Sequence, residues 1–162
     1  MTTPHVTECF LLRTAPDGTR EVMLGRKKTG VGAGKIVGIG GKIEPGETPS
    51  AAAARELREE TRVVVDEADL EFRGIADFRF PNKAAYTMIA HVFVAQRWLG
   101  EPSETDEIAP VWYPINQLPF DLMWADARHW LSGVLEGGRI NGVFVFNDDN
   151  ATLKECKVQS AK

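Results

Sequence analysis

Gly40 to Val63, GGKIEPGETPSAAAARELREETRV, decides how the chain is read. Thr48 followed by Pro49 reads as an N-cap and first helical position, and Ala51 to Ala54 supply strong helix formers ahead of a charged run. The spacing predicts a helix from about Pro49 to Thr61. On it Glu56, Glu59 and Glu60 stand at i, i+3 and i+4, so at about 3.6 residues per turn they share one face. Such like-charge neighbours destabilise a helix by roughly 0.2–0.5 kcal/mol per pair. Arg55, Arg58 and Arg62 are expected on the opposite side, with Arg55 and Glu59 as the one favourable i,i+4 pair. The acids border Ala53 and Leu57, the residues expected to face the core, so they lean toward protein. A hard divalent cation relieves the crowding, and oxygen ligands suit Mg²⁺ or Mn²⁺, which share their shell with substrate phosphates. A solvated charged helix is the plain alternative; crowding, missing counter-charges and the glycines before the helix together argue against it.

Outward from the helix, Gly40-Gly41 permits close backbone approach, and Pro45-Gly46 turns the chain so that Glu47 faces the helix it precedes. Ile36 to Ile39 reads as a short strand leading into these glycines. Before it, Lys27 to Lys35 (KKTGVGAGK) is a basic glycine-rich loop with no helical pattern behind it, unlike a dinucleotide fingerprint or a phosphate loop. Lys27 and Lys28 are either solvated surface charges or partners for substrate phosphates. Val6 to Arg13 and Glu21 to Arg26 form a hairpin across Pro16-Asp17-Gly18.

After the helix, Val63 to Val65 pairs with a neighbour, and Leu70 to Phe80 with Ala85 to Trp98 makes a second hairpin. Phe78 and Phe80 fall on one strand face, as core or as the wall of an aromatic pocket. Glu101 to Glu107 (EPSETDE) is a polar loop in which Glu104, Asp106 or Glu107 brings a further carboxylate toward the acidic helix face. A second helix is expected over Ala125 to Glu136, ended by Gly137-Gly138, and Arg139 to Phe146 with Ala151 to Val158 gives a last hairpin. Hairpins outnumber βαβ crossovers, which indicates an α+β domain with one or two mixed sheets.

The 162 residues suffice for one domain, 1–162, with a sizeable core. A net charge of −4 argues against a face for a nucleic-acid polymer while leaving room for a local basic pocket. Cys9 and Cys156 have no CxxC or metal spacing, and no cationic secretory region precedes them, so reduced thiols in a cytoplasmic protein are expected. No apolar run approaches the roughly 20 residues that span a bilayer.

Gly41, Glu47, Arg55-Glu56-Leu57, Glu59-Glu60 and Arg62-Val63, at these spacings, resemble the Nudix box of nucleoside-diphosphate-linked hydrolases. The resemblance implies an α/β/α sandwich around a mixed β-sheet, with the box as a loop-helix-loop. Arg62 stands where the box carries Gly; the left-handed conformation costs a non-Gly residue about 1–2 kcal/mol, so a different helix exit is expected. Leu24 to Gly34, Gly38 to Lys42, Asp106 to Trp112, Leu118 to Trp124 and Asn141 to Phe146 are similar to the MutT-type oxidised-purine triphosphatases of that family.

That likeness implies a cation held by Glu56, Glu59, Glu60 and Glu107 with the Gly40 carbonyl, a phosphate-side Lys27, and Arg55 orienting Glu56 or Glu59. It assigns the general base to Glu59 or Glu107. It implies a base pocket of Thr7, Val37, Phe78, Trp124, Asp126 and Phe146. Val37 replaces an Asn and Ala127 a second Asp, which removes two hydrogen-bonding groups worth about 0.5–1.5 kcal/mol each. The expected activity is Mg²⁺-dependent hydrolysis, with Mn²⁺ able to substitute, of a nucleoside triphosphate such as 8-oxo-dGTP or 2-oxo-dATP to monophosphate and pyrophosphate by a monomer. Hydrolysis of another nucleoside diphosphate derivative, such as a dinucleoside polyphosphate or nucleotide sugar, is the alternative. A non-catalytic nucleotide-binding module is a third reading.

Overall fold

Apolar residues occupy both faces of strand β1 (His5–Thr14), with Phe10 and Leu12 on one side and Cys9 and Leu11 on the other, all buried. Burial on both faces places β1 inside the sheet rather than at its edge. It pairs antiparallel with β2 (Arg20–Lys27) through Leu11↔Met23, as the Pro16-Asp17-Gly18 turn predicts. Its other edge runs parallel to β5 (Met88–Ala95). The structure, a computed structural model, describes residues 2–161, and its 8-stranded mixed sheet runs β3-β2-β1-β5-β4-β7-β8 with β6 on β2. Here β3 is Ile36–Val37, β4 Leu70–Arg79, β6 Ile108–Pro114, β7 Arg139–Phe146 and β8 Leu153–Ala161. The β4/β5 and β7/β8 hairpins form as expected, and Val64 bridges to Leu99.

A strand has two edges, and β6 covers one edge of β2 from Glu21 to Lys27. The other edge passes from β1, which pairs up to Met23, to β3, which pairs at Gly25 and Arg26. The sheet therefore splits between β1 and β2, and residues 38–42 enter the split, bridging Cys9↔Ile39 and Val6↔Lys42.

Helix α1 (Pro49–Thr61) has the predicted bounds, and the Thr48 hydroxyl accepts the Ala51 amide at 3.1 Å. It lays Ala53 and Leu57 on Cys9, Leu11, Met23, Ile39 and Ile108, covering one face of the sheet. The opposite face carries Phe10, Leu12, Phe78 and Phe144 under Trp130, Leu131, Val134 and Leu135, which completes the sandwich. This second helical layer is shorter than expected: α2 spans only Leu131–Leu135, behind a 3₁₀ turn at Ala127–His129. The break is at Trp130 (φ −144°), whose indole donates back to Asp126 at 2.8 Å and packs edge-on to Phe10, and that anchoring overrides the helical pattern. Cys9 is buried and Cys156 exposed, both unpaired. Among the described residues no helix is long and apolar enough to cross a membrane.

The exit from α1 corrects one expectation. Arg62 adopts the left-handed conformation itself (φ 65°, ψ 12°), and its amide donates to the Arg58 carbonyl at 2.9 Å. The sharp exit is imposed from outside: fully buried Val63 must enter the core, while the next amide, Val64, pairs with Leu99. Arg62→Gly relieves strain of about 1–2 kcal/mol. It returns about 0.4–1 kcal/mol of freedom to the unfolded chain, for a net gain of about 0–1.6 kcal/mol. A urea midpoint for the variant below that of the parent would discount the strain.

Candidate active site

The charges of α1 are organised by Arg55, which the helical pattern places away from the acids and the structure places among them. Its Nε and Nη2 donate to the two oxygens of Glu47 at 2.7 and 2.9 Å, a bidentate fork. Nη1 donates to Glu56 at 2.9 Å and Glu59 at 3.2 Å, and Nη2 also reaches the Lys42 carbonyl at 3.0 Å. The Arg55 fork, helped by the Glu44 amide, holds the Glu47 carboxyl down to about 2.

That depression gives a signed expectation. A folded value below the unfolded 4.5 contributes stability that is complete above about pH 4.5 and is lost as pH falls toward 2. Glu47→Gln is therefore less stable than the parent at pH 7, and the gap in urea midpoint closes between pH 4.5 and 2. A gap that stays constant across that range would remove the ion pair as its cause.

On the far side of the arc the acids lack such compensation. Glu60 is 9% exposed, and burial first, then hydrogen bonding to Glu107 and the charges of Glu56 and Glu107, push it up to about 8; Lys27 opposes this. Burial also raises Glu56, against the pull of Arg55. Glu59 remains more than half exposed. Among the described residues no three acidic, His or Cys side chains already converge at ligating distance, but Glu56, Glu60 and Glu107 are near enough to penalise one another's charge.

The backbone here suits a cation as well. A Cβ on Gly40 would lie 1.6 Å from the Thr7 carbonyl oxygen, so that position requires glycine, and one on Gly41 would lie 2.5 Å from the Glu56 carboxyl and displace it. The Ile39 and Gly41 carbonyls accept the Cys9 and Thr7 amides, whereas among the described residues the Gly40 carbonyl takes no backbone amide. Clustered carboxylates beside an open carbonyl are the oxygen-rich donor set that Mg²⁺ or Mn²⁺ prefers, so these residues fit such an ion.

The structure also separates alternatives left by the sequence. Lys28 is bonded to Glu104 and, at 2.8 Å, to the Thr105 carbonyl, and this pair lines an open cleft that Glu59 and Glu107 also border. Thr105 in turn donates to the Glu60 carbonyl at 2.8 Å, pinning the loop so that Glu107 meets Glu60. Lys27 is the lysine that lines the cavity.

A cavity of about 370 Å³ joins these groups to the base pocket. Lys27, Gly40, Gly41 and Glu60 border it, as do Val37, Phe78, Trp124, Asp126 and Phe146. Phe80 stacks on Phe146 at 4.2 Å, and Trp124 meets both edge-on, forming a rigid aromatic wall. Phe78 serves both of its expected roles, stacking on Phe144 within the core and facing the cavity. Asp126, 5% exposed, is raised to about 6 by burial despite the Trp130 bond. Thr7 lines the cavity with a buried hydroxyl that has no partner among the described residues. Glu8, also on the cavity, is not singled out by any motif. Its signal is an acid two residues before Phe10 on the inward face of an apolar strand.

An acid-bearing loop-helix-loop beside a nucleotide-sized cavity defines the class, and residues 5–133 match the model of the NUDIX domain: the chain belongs to that family. The oxidized purine nucleoside triphosphate hydrolase of Danio rerio is 44% identical over 133 residues, spanning 82% of this chain and 83% of that protein. The Mus musculus protein of the same name is 37% identical over 134 residues, with coverage of 83% and 84%. The crystal structure of a mutator MutT protein from Bacillus halodurans shares the fold at a TM-score of 0.76 and 25% identity, over 96% of this chain and 97% of that one.

Proposed function

We propose that the protein hydrolyses a nucleoside triphosphate to the monophosphate and pyrophosphate, with oxidised purines such as 8-oxo-dGTP and 2-oxo-dATP preferred. One observation carries the reading: a single cavity is bordered by Glu60 of the acidic helix, Lys27 and the aromatic wall, so a phosphate chain and a base fit in one ligand. The names of the two relatives, 44% and 37% identical over the matched residues, support the choice of substrate. The protein acts on free nucleotides, as a cytoplasmic monomer with one domain over residues 1–162, and requires neither nucleic-acid polymer nor membrane.

Glu56, Glu59, Glu60 and Glu107, with the Gly40 carbonyl, are assigned to hold Mg²⁺, for which Mn²⁺ substitutes. When bound, the cation neutralises phosphate charge and lowers the pKa of attacking water. The protein's own groups do the rest. Lys27 steadies the phosphates, and Arg55 fixes Glu56 and Glu59 by charge-assisted hydrogen bonds. Glu59 or Glu107 takes the proton from water. Trp124, Phe78 and Phe146 clamp the base, so that remote binding energy positions the phosphates.

A panel of canonical and oxidised nucleoside triphosphates, nucleotide sugars and dinucleoside polyphosphates, compared by kcat/KM, tests the substrate. No preference for oxidised purines would refute that choice, and full turnover in excess chelator would refute the chemistry. Replacing the general base, by Glu59→Gln or Glu107→Gln, lowers kcat by about 10²-fold or more. Glu60→Gln weakens Mn²⁺ binding in calorimetry, and undiminished binding would remove Glu60 from the cation site.

A further inference from the structure

The polar chemistry of the base pocket is sparse. Val37 and Ala127 offer no hydrogen-bonding side chain, and Phe78, Phe80, Trp124 and Phe146 supply walls. A ligand held by walls alone is recognised by shape; distinguishing one base from another requires groups that lose a partner when the wrong base binds. The polar side chains on the apolar side are Asp126, Thr7, Glu8 and Thr87, and the Thr87 hydroxyl already accepts the Phe80 amide at 3.0 Å.

The Glu8 carboxyl takes a hydrogen bond from the Gly38 backbone. Strand alternation puts it on the face of β1 that carries Val6, Phe10 and Leu12, the side packed under Trp130 and lined by the aromatic wall. Acids on such a face are rare unless paired. Among the described residues no cation forms an ion pair with Glu8. Its residual exposure is to the cavity, and protein surrounds it otherwise.

The neighbouring backbone makes way for it. A Cβ on Gly38 would lie 2.7 Å from the Glu8 Cγ and equally close to the Phe10 ring, so a glycine opposite β1 leaves the carboxyl its path. Across the cavity Asp126 has one oxygen committed to the Trp130 indole at 2.8 Å, and among the described residues its carboxyl takes no further partner beyond its own backbone amide. Burial and the nearby Asp126 charge push the Glu8 carboxyl up to about 8, which favours the protonated form. A protonated carboxyl donates through its O–H and accepts through its carbonyl, whereas a carboxylate only accepts.

We propose that Glu8 is a specificity-determining residue that, facing Asp126, hydrogen-bonds the edge of a purine carrying an exocyclic amino donor next to a ring-nitrogen acceptor. Asp126 accepts from the amino N–H, and Glu8 donates to the adjacent ring nitrogen. Guanine-type and adenine-type edges both present that pair of groups, and thymine presents no amino group. This rests on the nucleotide-binding reading of the cavity given above.

The test uses nucleoside monophosphates without added cation, followed by tryptophan fluorescence or calorimetry, because their binding requires neither metal nor turnover. Probes are dGMP, 8-oxo-dGMP, dAMP and dTMP. Glu8→Leu, apolar and of similar reach, is expected to weaken binding of the tightest purine about 10-fold or more while changing dTMP little. Glu8→Gln, which keeps a donor and an acceptor, is expected to retain the purine preference within a few-fold. Thermal midpoints of both variants should equal that of the parent within a few degrees, since the cost of burying the acid offsets its hydrogen bond from the Gly38 backbone.

A Glu8→Leu protein with the parent's purine-to-dTMP ratio would overturn the proposal, as would Glu8→Gln losing as much as Glu8→Leu. A lowered midpoint with an unchanged ratio would make Glu8 structural and overturn it too. If monophosphates are discriminated as expected but no triphosphate is hydrolysed, the proposed reaction fails and the role of Glu8 stands.

Discussion

The fork between Arg55 and Glu47 is the contact on which the rest of the site depends. It joins the loop before α1 to the helix itself, at 2.7 and 2.9 Å, and leaves the same guanidinium free to hold Glu56, Glu59 and the Lys42 carbonyl. A lysine cannot reproduce this, because a point charge on a flexible stem lacks the planar set of donors. The result is an uneven charge distribution. The loop-side acids are neutralised by Arg55, while Glu60, beside Glu107, has Lys27 as its opposing charge, so negative potential gathers at the mouth of the cavity.

That potential has its shape because the sheet is split. With β1 and β2 diverging, residues 38–42 lie between them and bring main chain, not side chains, to the acids. Gly40 packs against the Thr7 carbonyl with no space for a methyl group, and Gly41 packs against Glu56. The pinned Thr105 loop closes the other side by presenting Glu107. Local contacts on three separate segments thus set one carboxylate cluster.

Much of this was legible in the sequence where a local rule governs. Thr48-Pro49 and the alanines fix the start of α1, and turn chemistry fixes the β1/β2 hairpin. The box spacing also located the acids. Elsewhere tertiary contacts outweigh local ones. Helical spacing alone turns Arg55 away from Glu56, because it takes no account of Glu47 eight residues earlier. The α2 pattern extends through Trp130, whose bond to Asp126 breaks the helix. Arg62 follows the same principle: burial of Val63 forces the left-handed exit on whichever residue precedes it. Glu8 belongs to no motif, and its meaning depends on what the opposite wall lacks.

The two layers of packing have a consequence for how such a protein changes over evolutionary time. The acidic helix rests on the core around Leu57, Leu11 and Met23, whereas the aromatic wall rests on the core around Phe10, Phe144 and Leu131. Substitutions on separate, non-touching supports combine nearly additively, within about 0.3–0.5 kcal/mol. A change at Ala127, on the aromatic side, therefore leaves the support of the acidic helix intact, whereas Val37 packs on that helix's own core and couples the base pocket to the acids.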